Sequence, residues 1–336
     1  MRIGIDAMGG DHSPMVEAGG ALAARAILDP QDRIVLVGDE AAVRKCLADA
    51  EDWQECIEVR HAEQVIGMNE VPVEALRSKP NSSIALLAQM HADGELDACI
   101  SAGNTGAFVA AAQMRLRRLP GVHRPGICVM TPTYYGPLVV CDVGANVNCR
   151  PRHLHQYAVM AVVYARTICG IKSPRVGLLS IGQEDAKGNI LVRQTYELLQ
   201  GDPGLHFVGN VEGRDVFRNA CDVVVCDGFV GNVVLKLMEG MAGSVIRTML
   251  DELGLNMTEE HDQVTRAARS IISKYDFNEY GGAPLLGVAG ITIICHGASD
   301  SRGIMNAVRV ALEFGKLRVN EQITELLSQR QGAAHE

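Results

Sequence analysis

Aromatic residues are scarce in this chain of 336 residues: they make up 4% of it, with a single tryptophan. A core must therefore be filled by Ala, Val, Ile, Leu and Met, as in many parallel-sheet enzymes, and a hydrophobic fraction of 47% is enough to build one. The ten cysteines form no CxxC pair and no Cys/His group at zinc spacing, so no metal ligand set can be read from them. Cys141 in LVVCD and Cys226 in VVVCD have apolar flanks, which predict buried, reduced thiols. No two glycines are spaced two apart, so GxGxxG is absent and a dinucleotide fingerprint is excluded. GxxxxGK(S/T) and GxSxG are also missing, which removes the Walker loop and the hydrolase nucleophile elbow. Positive charge is in deficit, with a formal net charge of −9, and this argues against a nucleic-acid partner. The longest uncharged stretch, 280–299, holds Pro284 and five glycines and reads as loops and strands rather than a membrane span. Met1 leads straight into the strand-like RIGI, so a soluble, cytoplasmic protein without a signal peptide is expected.

What is present is alternation. Short β-branched runs at 2–5, 33–38, 57–62, 98–101, 127–130, 138–142, 175–180, 206–209, 223–227 and 291–295 are separated by longer helical patterns. Helices are predicted over 83–92, 151–169, 190–199, 232–253, 259–274 and 302–327. The order implies an α/β fold, a mainly parallel sheet sandwiched by helices. One catalytic domain is expected over 1–327, with a protruding helical pair at 232–275 suited to a dimer interface and a frayed tail at 328–336.

Several strands run into loops rich in Gly and Asn: Asp6 to Asp11 (DAMGGD), Ser101 to Gly106 (SAGNTG), Asp142 to Asn146 (DVGAN), Gly209 to Asp215 (GNVEGRD) and Asp227 to Asn232 (DGFVGN). In a parallel sheet these loops collect at the carboxyl ends of the strands, where such sheets bind ligands. Glycine exposes backbone N–H groups, Asn and Ser add neutral donors, and each following helix points its positive end at the site. The pattern suits an anion such as phosphate. It nominates Asp6, Gly9, Gly10, Asp11, Ser101, Gly103, Asn104, Thr105, Asn146, Asn210, Asp227, Gly228 and Asn232. Among charged neighbours, Lys187 follows the strand RVGLLS, Lys236 lies one turn beyond Asn232, and His296 ends ITIIC.

Taken together, IDAMGGD (5–11), ISAGNTGA (100–107), DVGAN (142–146), VGLLSIGQEDAKGN (176–189), GNVEGRD (209–215), VVVCDGFVGNVVLK (223–236), YGGAPLLG (280–287) and CHGASDS (295–301) resemble the bacterial phosphate acyltransferase of phospholipid synthesis, the PlsX family. The resemblance implies transfer of a fatty-acyl group from acyl carrier protein to inorganic phosphate, with no cofactor or metal. It also implies a homodimer, a downstream glycerol-3-phosphate acyltransferase, and a fold like phosphotransacetylase and isopropylmalate dehydrogenase. It adds Gly281 and Gly282 to the candidate phosphate loops. Ser180 stands where the family motif commonly has Asn. Asp251, Glu252, Glu259, Glu260 and Asp262 make the tip of the helical pair acidic, where relatives that dock on anionic membranes carry a more basic or apolar tip, so peripheral contact with the inner face of the membrane stays open.

The implied chemistry needs orientation and oxyanion stabilisation more than acid–base work, because phosphate is itself the nucleophile. Lys187, Asn232, Lys236 and His296 are the catalytic candidates, His296 assisting the departing thiolate. Arg115, Arg117 and Arg118, continued by His123 and Arg124, form the densest basic cluster and are the candidate dock for an acidic carrier. The alternatives are a phosphotransacetylase acting on acyl-CoA, a dehydrogenase whose carboxylate metal site cannot be located, and a non-catalytic scaffold, against which the intact polar loops count.

Overall fold

The computed structural model describes residues 1–252, 266, 270, 271, 273 and 276–333. Among these, eleven strands form one sheet in the order β3-β2-β1-β4-β11-β10-β5-β6-β9-β7-β8. The strands are β1 (Arg2–Asp6), β2 (Arg33–Gly38), β3 (Ile57–His61), β4 (Ala98–Ser101), β5 (Gly126–Thr133), β6 (Gly136–Cys141), β7 (Arg175–Leu179), β8 (His206–Val211), β9 (Val223–Val225), β10 (Ala283–Leu286) and β11 (Ile291–Ile294). The helices are α1 (Met15–Ala24), α2 (Glu40–Leu47), α3 (Pro72–Ser78), α4 (Ser83–Ala92), α5 (Thr105–Arg115), α6 (Pro151–Thr167), α7 (Ile190–Gln200), α8 (Gly228–Glu252), α9 (Ser301–Lys316) and α10 (Val319–Ala333).

The sheet is mainly parallel, as expected, but it contains a reversal. β10 runs antiparallel to β11 and to β5, and β5 and β6 form an antiparallel hairpin through Tyr134 and Tyr135. The strands on either side of this seam therefore point in opposite directions, so the glycine loops do not leave one edge of a single parallel sheet. Sequence patterning could not show this, because a strand buried on both faces reads alike in either direction.

Alternation along the strands assigns the layers. On β6, Val139 and Cys141 pack with α6, while Leu138 and Val140 join the cluster of Phe108 and Ile84 on the opposite face. On β1, Ile3 and Ile5 face α1 and α9. Gly19 and Gly20 obscure α1 in the sequence, yet they let it lie against α9: a Cβ on Gly20 would stand 2.6 Å from Ile304 Cγ2.

One predicted helix differs from those observed. The 302–327 pattern is two helices, α9 and α10, because Arg318 turns left-handed at φ 52° and redirects Val319, Ile323 and Leu327 onto the α6 core. Helix α10 continues to Ala333, beyond the expected start of the tail. Of the predicted 259–274 helix only residues 266, 270, 271 and 273 are among the described residues, so the second arm of the helical pair lies almost wholly outside them.

His91 closes α4 in the core, with Nδ1 3.2 Å from the buried Cys99 thiol. Burial, opposed by Asp97, lowers its pKa from 6.5 to about 4. A folded pKa below the unfolded one gives stability that is full above about pH 6.5 and lost as pH falls through 4. Unfolding titrations should show a loss of about 3 kcal/mol across that window. His91→Gln should flatten this limb, and a His91→Gln curve superimposable on the parent would assign the acid sensitivity to other groups.

Candidate active site

Two buried aspartates, one on each side of the seam, organise the loops. Asp6, at the end of β1, accepts from Ser101 Oγ at 2.7 Å and from Met8 N at 3.1 Å. These bonds tie the loop after β1 to the loop after β4. Burial raises the Asp6 pKa, with Ser83, Ser101 and Met8 opposing. The two loops touch through backbone: a Cβ on Gly9 would stand 2.6 Å from Gly103 N. Asp11 N donates to Gly297 O at 2.9 Å, which adds the loop after β11. Glu17 holds the same turn, accepting from Gly10 N and Ser13 Oγ. Asn104 caps α5 through Ala107 N, and its Nδ2 donates to the carbonyls of Gly67, Met68 and Glu70.

Across the seam, Asp142 accepts from Ile127 N, Ala145 N, Asn146 N and Asn146 Nδ2 at 2.8–3.1 Å. Burial outweighs these donors and raises its pKa to about 6. Asn146 Nδ2 also donates to Pro125 O at 2.6 Å. Gly228 and Gly231 let the first turn of α8 settle on Asp142, where a Cβ at Gly231 would meet its carbonyl. Asp227 Oδ1 receives Phe229 N and Val230 N, capping the helix.

Between the two walls lies a cavity of about 1100 Å³. This exceeds the roughly 300–1,000 Å³ usual for small-ligand sites. Its body is apolar, built from Ile127, Val129, Met130, Val234, Leu235, Met238 and Ile246. Its polar lining includes Asp11, Thr105, Asn232, Lys236, Glu239, His296 and Ser299. Lys236 Nζ pairs with Glu239 at 2.9 Å. His296 Nδ1 accepts from Ala298 N at 3.1 Å, so the neutral ring carries its proton on Nε2. Burial and then Lys236 hold the His296 pKa down, opposed by Glu239 and Asp11. Cys141 and Cys226 are buried, with thiol pKa values raised far above ordinary, which makes them poor nucleophiles.

Of the residues the sequence nominated, Asp11, Gly103, Thr105, Asn232, Lys236, Gly282 and His296 line the cavity. Asp6, Gly9, Gly10, Ser101, Asn104, Asn146, Asp227 and Gly228 lie behind it and hold its walls. Gly281, at φ 70°, packs on Asn306. Lys187 is exposed and outside the cavity lining, and Asn210 reaches back to Glu184 O, so both belong to the neighbouring loop. Arg115 ends α5, about 15 Å along the helix from Thr105, and Arg117 and Arg118 follow it; all three are exposed. Sequence reasoning missed Glu239, Ser299 and Arg214. Arg214 stood inside the GNVEGRD loop, whereas Glu239 looks like any surface acid until α8 is placed. Among the described residues, no group of three or more His, Cys, Asp or Glu could hold a metal ion.

The family described as fatty acid synthesis protein matches residues 1–322. A phosphate acyltransferase of Desulforamulus reducens is 46% identical over 333 residues, covering 99% of both chains. One from Geobacter sulfurreducens is 44% identical over 328 residues, covering 97% of this chain and 94% of its own. Among solved structures, a phosphotransacetylase of Streptococcus pyogenes aligns with TM-score 0.59 at 16% identity, over 98% of this chain and 94% of that one. The EutD phosphotransacetylase of Staphylococcus aureus aligns with TM-score 0.58 at 15% identity, over 96% and 94%. These two likenesses concern the fold.

Gly9→Ala should force the loops after β1 and β4 apart, costing about 1–3 kcal/mol in urea unfolding at unchanged m. Unaltered stability would show that the loops have slack the structure does not display.

Proposed function

The chain belongs to the fatty acid synthesis protein family, and on that premise we propose that it moves a fatty-acyl group from acyl carrier protein to inorganic phosphate, releasing acyl phosphate for phospholipid synthesis. The carrying observation is the combination of one large apolar cavity with a polar lining that holds Thr105, Asn232, Lys236 and His296. An acyl chain would lie in the apolar body with its thioester carbonyl at the polar groups. A phosphate oxygen attacks the carbonyl carbon, the new C–O bond forms, and the C–S bond breaks to release the carrier thiolate. Lys236 supplies positive charge for the incoming anion. Asn232 and the Nε2–H of His296, both in the cavity lining, are the donors we assign to the developing oxyanion. With Nδ1 already accepting from Ala298, His296 serves as a hydrogen-bond donor rather than a strong acid. Hydroxylamine trapping of acyl phosphate, dependent on phosphate and on the carrier thioester, tests the reading. Product that forms only from acyl-CoA would replace the carrier with coenzyme A.

The same reading makes the protein a cytoplasmic homodimer that passes its product to a glycerol-3-phosphate acyltransferase at the membrane. Support for a dimer comes from α8, where Phe229, Val233, Leu237, Met241 and Val245 recur every four residues and are all exposed, although Leu237, Met241 and Val245 also line the cavity. The helix is long and apolar enough to cross a bilayer, with 6% of its most apolar window buried. A second copy of the helix is the covering we assign to it.

Asn232→Ala and Lys236→Ala should each lower kcat at least ~10²-fold with little change in Tm, the scale of losing one oxyanion donor. Near-normal turnover in both would remove them from the chemistry. Light scattering should give a dimer, and Val233→Glu with Val245→Glu a monomer or aggregate. A monomeric parent protein would leave the α8 stripe without its assigned partner.

A further inference from the structure

Folding enlarges the basic cluster in a direction the sequence did not show. Arg118 Nη1 donates to His123 O, and Arg152 Nη1 lies 3.3 Å from His123 Nε2. Arg124, Arg150 and Arg152 all bear on His153, whose pKa burial and then these cations lower. Arg118, Arg124, Arg150 and Arg152 are exposed, and among the described residues none of them pairs with a carboxylate. Lack of an acid is not itself unusual, since among the described residues Arg77, Arg193 and Arg309 pair with none either; the gathering of four such cations around His123 and His153 sets these apart. In a protein of net charge −9, four gathered arginines without an internal counter-charge form a surface built for an external one.

The position of the surface gives it a use. Arg124 is followed by Pro125 and Gly126, after which Ile127 lines the cavity. Arg150 is reached from Val143 and Gly144, which also line it. The Asn146–Pro125 hydrogen bond clamps these two segments midway. Along the chain the patch thus lies three residues from Ile127 and six from Gly144 of the cavity lining, with Arg118 joining it from the end of α5 through His123.

We propose that Arg118, Arg124, Arg150 and Arg152 form the dock for an acidic partner protein that delivers the acyl group. This rests on the reading above for the partner's identity, the acyl carrier, and adds where it binds. Charge complementarity selects such a partner by its acidic surface and speeds encounter at low salt.

The test is a titration of purified acyl carrier protein into the full chain by fluorescence anisotropy, followed by kinetics with two donors. One donor is the acyl carrier thioester; the other is the same acyl group on N-acetylcysteamine, a small neutral thiol. Arg124→Glu with Arg152→Glu should weaken carrier binding by at least ~10-fold and remove its salt dependence. It should raise KM for the carrier donor while leaving kcat at saturation, and all kinetics with the small donor, within about twofold. Arg150→Ser removes charge while keeping a favoured N-cap, so it should weaken carrier binding in the same direction without unfolding risk. Unchanged carrier affinity in both variants would overturn the dock. A parent protein that transfers from the small donor yet does not bind the carrier would overturn it too. Carrier binding that is strong in the parent and lost in the variants, without acyl phosphate from either donor, would uphold the dock and sink the proposed reaction instead.

Discussion

The Asp142 carboxylate is the point on which one half of the molecule closes. Its oxygens gather backbone donors from β5 and from the loop after β6, while glycines at 228 and 231 bring α8 down on the same residue. A buried carboxylate without such donors would be costly, and replacing it with an apolar group would leave those donors orphaned. The burial that raises its pKa is therefore the consequence of a structural task. Asp142 does not line the cavity; it fixes Ile127, Val143 and Gly144, which do.

Asp6 plays the matching part on the other side of the seam, joining β1 to β4 through Ser101. Each strand group thus carries an aspartate at the end of an inner strand, and each aspartate organises loops rather than lining the cavity. The reversal at β10 and β5 sets the two groups against each other, and α8 spans the space between them. The cavity is consequently a product of tertiary assembly: no single βα unit contains its polar lining.

The local elements were largely legible. Most β-branched runs became strands, and Asn104, Asp227 and Asn189 cap helices as their residue types suggest. Site legibility was split by physical cause. Asn232, Lys236 and His296 could be nominated because each follows a strand-end loop closely, and proximity in sequence carried them to the cavity. Lys187 follows such a loop too, but after a strand near the sheet's far edge, where strand order rather than loop chemistry decides the outcome. Asp6 and Asn146 were nominated for the right neighbourhood: their side chains are consumed by internal hydrogen bonds, a distinction that needs coordinates. The antiparallel hairpin and the break at Arg318 escaped because hydrophobic period is blind to direction and to a single left-handed residue.

The two kinds of wall around the cavity differ in what substitution can do to them. The loops after β1 and β4 meet through backbone at Gly9 and Gly103, and the loop after β6 meets the first turn of α8 at Gly228 and Gly231, so almost any added side chain there displaces main chain. The α8 wall presents Val234, Leu235, Met238 and Ile246, ordinary apolar side chains on a regular helix, whose size can change one at a time with the backbone left in place. Heritable variation is thereby channelled. Descendants of this sequence can remodel the depth and breadth of the apolar chamber through α8, while the glycine loops remain frozen.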